Sequence, residues 1–84
     1  MYEYIKNEMI KCSQEKQKIK VSIMHKGYSN FDYFCELSNN LSELTLKEFD
    51  DILNKICEEC YFENLYYEII SPYYCQIYFS KSYR

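Results

Sequence analysis

The strongest helix signals of this chain lie in LTLKEFDDILNKICEEC, residues 44–60. Thr45 and Glu48 have the spacing of a capping box, in which each side chain bonds the backbone N–H of the other residue. Leu44 and Phe49 occupy the two positions of a hydrophobic staple around the same helix start. The stretch therefore predicts a helix that begins at this capping box and continues to the second cysteine.

The two faces of this predicted helix differ in character. At roughly 100° per residue, the apolar side chains fall in one arc about 140° wide, which is typical of a stripe that packs on a core. The stripe comprises Leu46, Phe49, Ile52, Leu53, Ile56, Cys57 and Cys60. The opposite face is charged and is expected to contact solvent. Its members are Glu48, Asp51, Lys55, Glu58 and Glu59.

Shorter periodic segments predict one more helix and four strands. Residues 2–13 repeat apolar side chains at helical spacing, which indicates a first amphipathic helix. The predicted strands, in which apolar and polar side chains alternate, are residues 18–23, 31–37, 65–70 and 73–80. Turns at His25-Lys26-Gly27 and at Ser71-Pro72 join them as two hairpins. We expect one small α+β domain over residues 1–84, in the order αββαββ, with a four-stranded antiparallel sheet and two helices.

The helices can cover one face of this sheet or lie on both faces. If both cover the same face, the other face exposes more aromatic side chains than a monomer usually leaves open. That face comprises Lys18, Lys20, Asp32, Phe34, Glu36, Tyr66, Glu68, Ile70, Tyr74, Gln76 and Tyr78. With one helix on each face, the tyrosines of this set belong to the core.

Acidic residues are concentrated in the middle of the chain. The formal net charge is −3, but residues 32–68 carry ten acids and two lysines, which gives that segment a charge of −8. Such a segment disfavours direct binding to nucleic acid and favours an acidic surface that binds a protein or only contacts water.

The sequence also predicts a location in the cell. No run approaches the ~18 apolar residues of a membrane span, and residues 1–12 lack the apolar segment of a signal peptide. Five cysteines without regular spacing are expected to stay thiols in a reducing compartment. The absence of Ala and the abundance of Lys, Ile and Tyr are typical of a low-GC bacterium or its phages. We therefore expect a protein of the bacterial cytosol that contacts no membrane and forms no disulfide.

Cys57 and Cys60 form a CxxC motif, which can serve redox chemistry, zinc binding or packing. Reactive CxxC thiols owe a low pKa to a helix N-terminus or to nearby cations. This pair lies at a predicted helix C-terminus beside Glu58 and Glu59, where the field should raise the pKa of both thiols. Zinc needs two further ligands, and none stands in a second metal-binding motif. The remaining candidates are Cys12, His25, Cys35 and Cys75. We expect packing residues here and neither a metal nor another cofactor.

No motif in the sequence indicates an enzyme. His25 is the only histidine, and no serine or cysteine near it stands in a nucleophile motif. One glycine is too few for a glycine-rich phosphate loop. Adjacent acids such as Asp50 and Asp51 point about 100° apart on a helix, so they do not form a shared acid–base site. We assign no catalytic residue.

A protein-binding role is the interpretation that remains. Tyrosine beside carboxylates suits a partner surface rich in Arg and Lys, through cation–π contacts and charge-assisted hydrogen bonds. Surfaces of that kind are typical of proteins that bind nucleic acid. The predicted binding residues are Glu48, Asp51, Glu58, Glu59, Asp32, Glu36, Tyr66, Glu68, Tyr74 and Tyr78.

In size, acidity and tyrosine content, with LTLKEFDDILNKICEEC as its acidic helix, the chain resembles the small phage-encoded anti-CRISPR inhibitors. It is similar also to the small immunity proteins that block nuclease toxins. The resemblance extends over the whole chain and rests on no motif, so it assigns no residue. It implies a non-enzymatic inhibitor that obstructs the DNA or RNA site of a CRISPR effector complex. The alternatives are a structural module that forms a homodimer through its tyrosine face and a CxxC zinc module.

Overall fold

The structure is a computed structural model that describes residues 1–14, 19–23 and 27–82, with the backbone alone described for residues 19–23 and 27–30. The elements in chain order are α1 (Tyr2–Cys12), β1 (Ile19–Ile23), β2 (Gly27–Phe31), β3 (Tyr33–Leu37), α2 (Leu46–Cys60), β4 (Phe62–Ser71) and β5 (Tyr74–Lys81). The strands β3, β5 and β4 form an antiparallel sheet in that spatial order, and β1 and β2 form a separate antiparallel pair. The fold is α+β, with a radius of gyration of 12.3 Å.

The predicted αββαββ order with a four-stranded sheet is wrong, because residues 27–37, of which only 31–37 were predicted as a strand, form two strands that pair with different partners. The chain bends at Asp32, whose backbone N–H lies 3.1 Å from the carbonyl oxygen of Phe79 and 3.2 Å from Oγ of Ser80. Before the bend, β2 pairs with β1; after it, β3 pairs with β5. The described strands therefore form a three-stranded sheet and a two-stranded one.

The sequence did not predict this bend, because apolar and polar side chains alternate without interruption through it. Phe31 and Tyr33 are two residues apart and both buried, as one strand face requires. Tyr33 belongs to the main core, whereas Phe31 lies outside it. Two predictions fall outside the described residues. They are the turn at His25 and Lys26 and the start of the first strand at Lys18.

The helix α2 follows its sequence signals closely. Thr45 is its N-cap: Oγ1 of Thr45 accepts from the Glu48 N–H at 3.1 Å, and the Thr45 N–H donates to Oε1 of Glu48 at 3.0 Å. The predicted capping box is confirmed. The helix ends before Tyr61, which adopts the left-handed conformation with φ of 57°. Within the predicted stripe, Phe49, Leu53 and Ile56 are buried and Ile52, Cys57 and Cys60 are half-buried. Leu46 is exposed, so its assignment to the stripe is wrong.

Both helices pack on the same face of the three-stranded sheet. Ile5 and Met9 of α1 join the buried residues of α2 in one cluster. From the sheet, this cluster contains Tyr33, Cys35, Leu37, Phe62, Cys75, Ile77 and Phe79. Alternate residues of β3 and β5 therefore face the core, and those between them face away from both helices. Neither helix in the described part of the chain has the length and apolar character needed to cross a membrane.

Candidate protein-binding surface

The sheet face that points away from the helices carries its side chains in rows. Because β5 lies between β3 and β4, a residue of β5 has a partner on either side, and the three make a row across the sheet. Phe34, Tyr78 and Tyr66 make an aromatic row, and Glu36, Gln76 and Glu68 make an acidic row. The strand spacing places the α-carbons of Glu36 and Glu68 about 10 Å apart.

The aromatic row forms a second, smaller core. The Tyr78 ring lies 4.9 Å from that of Phe34 and 5.9 Å from that of Tyr66, measured between ring centroids. Phe31, at the end of β2, lies over this row at 5.5 Å from Tyr78 and 6.3 Å from Tyr66. Its side chain is only 1% exposed. Tyr66 and Tyr78, which the sequence predicted as binding residues, are therefore half-buried, with their rings packed in this row.

The acidic row is exposed and is organised by hydrogen bonds. Nε2 of Gln76 donates to the Tyr74 hydroxyl at 2.9 Å, and that hydroxyl donates to Oε2 of Glu36. Glu36 and Glu68 are both exposed at the ends of the row. The hydrogen bond to Glu36 raises the pKa of Tyr74 above its ordinary value of 10.0, so the phenol is a neutral donor. The pKa of Tyr78 is also raised, first by burial and then by the negative charge of Glu68.

Further carboxylates lie on this sheet face, on the side of the aromatic row opposite the acidic row. Glu63 pairs with Ser80 in the sheet register, and the half-exposed Asp32 contacts the same serine through its backbone. Among the described side chains of β3, β4 and β5, the only cation is Lys81. Its Nζ lies 5.7 Å from the centroid of the Tyr33 ring, which belongs to the core that faces the helices. The described charges of the outer face are therefore all negative.

The predicted acids of α2 form a different surface, and most already have local partners. Glu48 belongs to the capping box. Asp51 lies 3.5 Å from Nζ of Lys47, and Glu59 lies 3.9 Å from Nζ of Lys6. Because α2 packs on the inner face of the sheet, its solvent side points away from the acidic row. The structure thus divides the ten predicted residues into two surfaces instead of joining them in one site.

The CxxC cysteines have the raised thiol pKa that the sequence predicted, but from a different main cause. Burial, followed by the charge of Cys60, raises the pKa of Cys57 to about 11. Burial also raises the pKa of Cys60, with Lys6 acting in the opposite direction. Across the described residues, no three or more His, Cys, Asp or Glu side chains are grouped to hold a metal ion. His25 is outside the described residues.

Sequence reasoning missed an apolar groove at the start of α2. The groove has a volume of about 360 Å³ and lies between that helix start and the turn joining β4 to β5. Its apolar lining includes Leu41, Leu46, Phe49, Ile69, Ile70 and Pro72. The available signal was the pair of adjacent isoleucines, since one of two neighbouring strand residues usually points away from the core.

Known proteins offer no guide to this surface. No family model, curated protein or solved structure matches the chain. The resemblance to anti-CRISPR inhibitors therefore remains an expectation from size, charge and tyrosine content.

Proposed function

We propose that this protein is a non-enzymatic inhibitor that binds a basic segment of a partner protein through its acidic row. The partner is a nucleic-acid-binding protein of the bacterial cytosol, such as a CRISPR effector complex. The observation that carries the proposal is the exposed pair Glu36 and Glu68, with Tyr74 and Gln76 between them and no described cation on this face.

The hydrogen bonds of the acidic row favour binding by fixing a carboxylate in advance. A free glutamate loses rotamer freedom when a partner holds it, and this loss weakens binding. Tyr74 already restrains Glu36 from within the protein. Since Tyr74 is a neutral donor, the carboxylate keeps its full charge for a lysine or arginine of the partner.

A nucleic-acid-binding protein is the partner class that such a surface fits. Those proteins carry clusters of Lys and Arg that contact phosphates, and an acidic protein is attracted to the same clusters. Occupying the cluster would exclude DNA or RNA from it, which is the inhibition implied by the anti-CRISPR resemblance. The long-range attraction should weaken as salt screens the charges.

The test uses two double variants with the same change in charge. Glu36→Gln with Glu68→Gln removes the acidic row, and Glu58→Gln with Glu59→Gln removes two acids of the α2 surface. Each purified protein is used to capture proteins from a bacterial lysate, and the captured proteins are identified by mass spectrometry. We expect the unmodified protein and the α2 variant to capture a nucleic-acid-binding protein that DNA or RNA can displace, and the acidic-row variant to lose it. Equal capture by both variants, or capture that salt does not weaken, contradicts the proposal.

The alternative of a homodimer formed through the tyrosine face has less apolar surface available than the sequence indicated. Phe31 already covers part of the aromatic row, so Tyr66 and Tyr78 have little ring area left to bury against a second copy. Sedimentation at increasing protein concentration distinguishes the homodimer from the inhibitor, since the inhibitor is expected to remain monomeric without its partner.

A further inference from the structure

The strand β4 lies at an edge of the three-stranded sheet. Among the described residues, β5 is the only strand that pairs with it. Successive residues of a strand direct their N–H and C=O groups alternately to its two sides, so every second residue of β4 directs them away from β5. Such a row of backbone groups can pair with an extended segment of another protein, which then becomes a further strand of the sheet.

The regular part of this edge is short and exposed. β4 pairs with β5 without interruption over residues 66–69, and a register shift lies on either side of them. Glu68 and Ile69 are exposed and Tyr66 and Tyr67 are half-buried, whereas every residue of the central strand β5 is buried or half-buried. Since bulges protect an edge from pairing, an added strand is expected to pair with these four residues only.

The side chains of β4 on the outer face are the ones that an added strand would meet. Glu63, Tyr66 and Glu68 lie on this face, opposite Ser80, Tyr78 and Gln76 of β5. A strand added beside β4 places every second side chain on the same face, at the spacing of about 5 Å that separates neighbouring strands. Both carboxylates are exposed, and the described charges of the outer face are all negative. Lysine or arginine at every second position complements this charge.

The two ends of the acidic row differ in their distance from such a strand. Glu68 is on β4 itself, whereas β5 and β4 both lie between Glu36 and the added strand. Strand spacing places the backbone of the added strand about 5 Å from β4 and about 14 Å from β3. Exposed charges more than about 8 Å apart are largely screened at physiological ionic strength. Strand addition therefore gives Glu68 a larger part in binding than Glu36.

A second copy of this chain is another occupant that an edge strand can accept. Pairing of two β4 edges about a two-fold axis would bring Glu63 and Glu68 of both copies to one interface. The described side chains of the outer face include no cation to offset these charges. Like charges on neighbouring strands repel, so the charge of this face favours a basic segment over a second copy.

We propose that the basic segment of the partner binds as an extended strand added to the edge of β4, with lysine or arginine at every second position on the outer face. This inference rests on the proposed function, and it specifies the conformation and the sequence pattern of the segment. The backbone of the segment pairs with residues 66–69, and its basic side chains contact Glu68 and face Glu63.

The first test measures the affinity of two fluorescein-labelled synthetic peptides by fluorescence anisotropy. One peptide alternates lysine or arginine with threonine, and the other has the same composition with its basic residues contiguous. In an extended strand, the alternating peptide places all its basic side chains on one face, whereas the contiguous peptide divides them between two. We expect the alternating peptide to bind about threefold tighter. Equal affinities contradict strand addition.

Methylation of the peptide backbone tests the strand pairing itself. Two further versions of the alternating peptide carry N-methyl groups, one on the basic residues and the other on the threonines. Since successive N–H groups of a strand point to opposite sides, only one version blocks the hydrogen bonds to β4. We expect that version to bind about tenfold weaker and the other to keep the affinity of the unmethylated peptide. Equal affinities of the two methylated peptides contradict strand addition.

Two protein variants with the same change in charge separate this inference from the proposed function. We expect Glu68→Gln to weaken binding of the alternating peptide about threefold, and Glu36→Gln to weaken it less. If both weaken it equally, the segment lies across the acidic row; strand addition is then overturned, and the proposed function stands. If no peptide binds, or if neither variant weakens binding, both proposals are overturned. Self-association that Glu68→Gln strengthens would assign the edge to a second copy instead.

Discussion

The acidic surface of α2 and the acidic row of the sheet differ in what their carboxylates already contact. On α2, Glu48 closes the capping box, and Asp51 and Glu59 each lie near a lysine. On the sheet, the neutral hydroxyl of Tyr74 holds Glu36 and leaves its charge uncompensated. These exposed acids are therefore not equivalent. Glu48, Asp51 and Glu59 contact a cap or a cation, whereas Glu36 accepts from a neutral donor and has no cation beside it.

The largest effect is expected where α2 meets the core, on the side opposite its acids. Ile56 is fully buried, so Ile56→Asp places a carboxylate among apolar side chains with no cation in the same cluster. We expect a loss of more than about 4 kcal/mol in unfolding free energy, which a domain this small cannot tolerate. Circular dichroism should show an unfolded chain. The matched change at an exposed apolar position of the same helix, Leu46→Asp, should leave the folded spectrum intact, and a folded Ile56→Asp would contradict this packing.

Phe31 tests whether the aromatic row is a second core or an open binding surface. Phe31→Ala removes the ring that covers Tyr66 and Tyr78, and we expect it to reduce the unfolding free energy by about 3 kcal/mol or more. Urea denaturation measures this loss of unfolding free energy. Phe34→Ala, at a half-buried position of the same row, should cost less. If Phe31→Ala costs under about 1 kcal/mol, the row is open, and the contrast between packed aromatic side chains and exposed acids fails.

Local and distant interactions explain which parts of the fold the sequence could predict. The start of α2 depends on Thr45 and Glu48, which are three residues apart, so the capping box is visible in the sequence. The bend at Asp32 depends on a hydrogen bond to Ser80, 48 residues away, and the alternation of side chains does not indicate this bond. This is one reason why four strands were expected where the described residues form five.

The same distinction applies to the candidate site. Alternation was enough to place Glu36, Glu68 and Tyr74 on one face of the sheet, but it left open whether a helix covers that face. The hydrogen bond between Tyr74 and Glu36 joins two strands that are far apart in sequence, and only the register brings them together. The groove escaped prediction because it combines residues from 41–49 with residues from 69–72.

A smaller effect is expected when the N-cap residue of α2 and a residue of the acidic row are compared. Thr45→Ala removes the side chain that caps α2, and we expect it to lower the unfolding free energy by about 1 kcal/mol. Glu36→Ala, on the acidic row, should change it by less than about 0.5 kcal/mol, since surface substitutions usually have little effect. Thermal denaturation of both variants in parallel provides the comparison. Equal losses would mean that Glu36 stabilises the fold as much as the N-cap of α2 does, which contradicts the contrast.

The smallest effect is the titration of Tyr74, which reports directly on the organisation of the acidic row. Its hydrogen bond to Glu36 is the main cause that raises its pKa above 10.0, and Gln76 acts in the opposite direction. Because the folded state holds this proton more tightly than the unfolded state, the stabilising contribution is present at neutral pH. It is lost as the pH rises through the folded-state pKa. Glu36→Gln should lower the pKa of Tyr74 towards its ordinary value, whereas Glu58→Gln on α2 should leave that pKa unchanged. Carbon NMR of the tyrosine rings measures both. If Glu36→Gln leaves the Tyr74 pKa where it was, no hydrogen bond fixes the carboxylate, and the acidic row has no advantage over the α2 surface as a binding site.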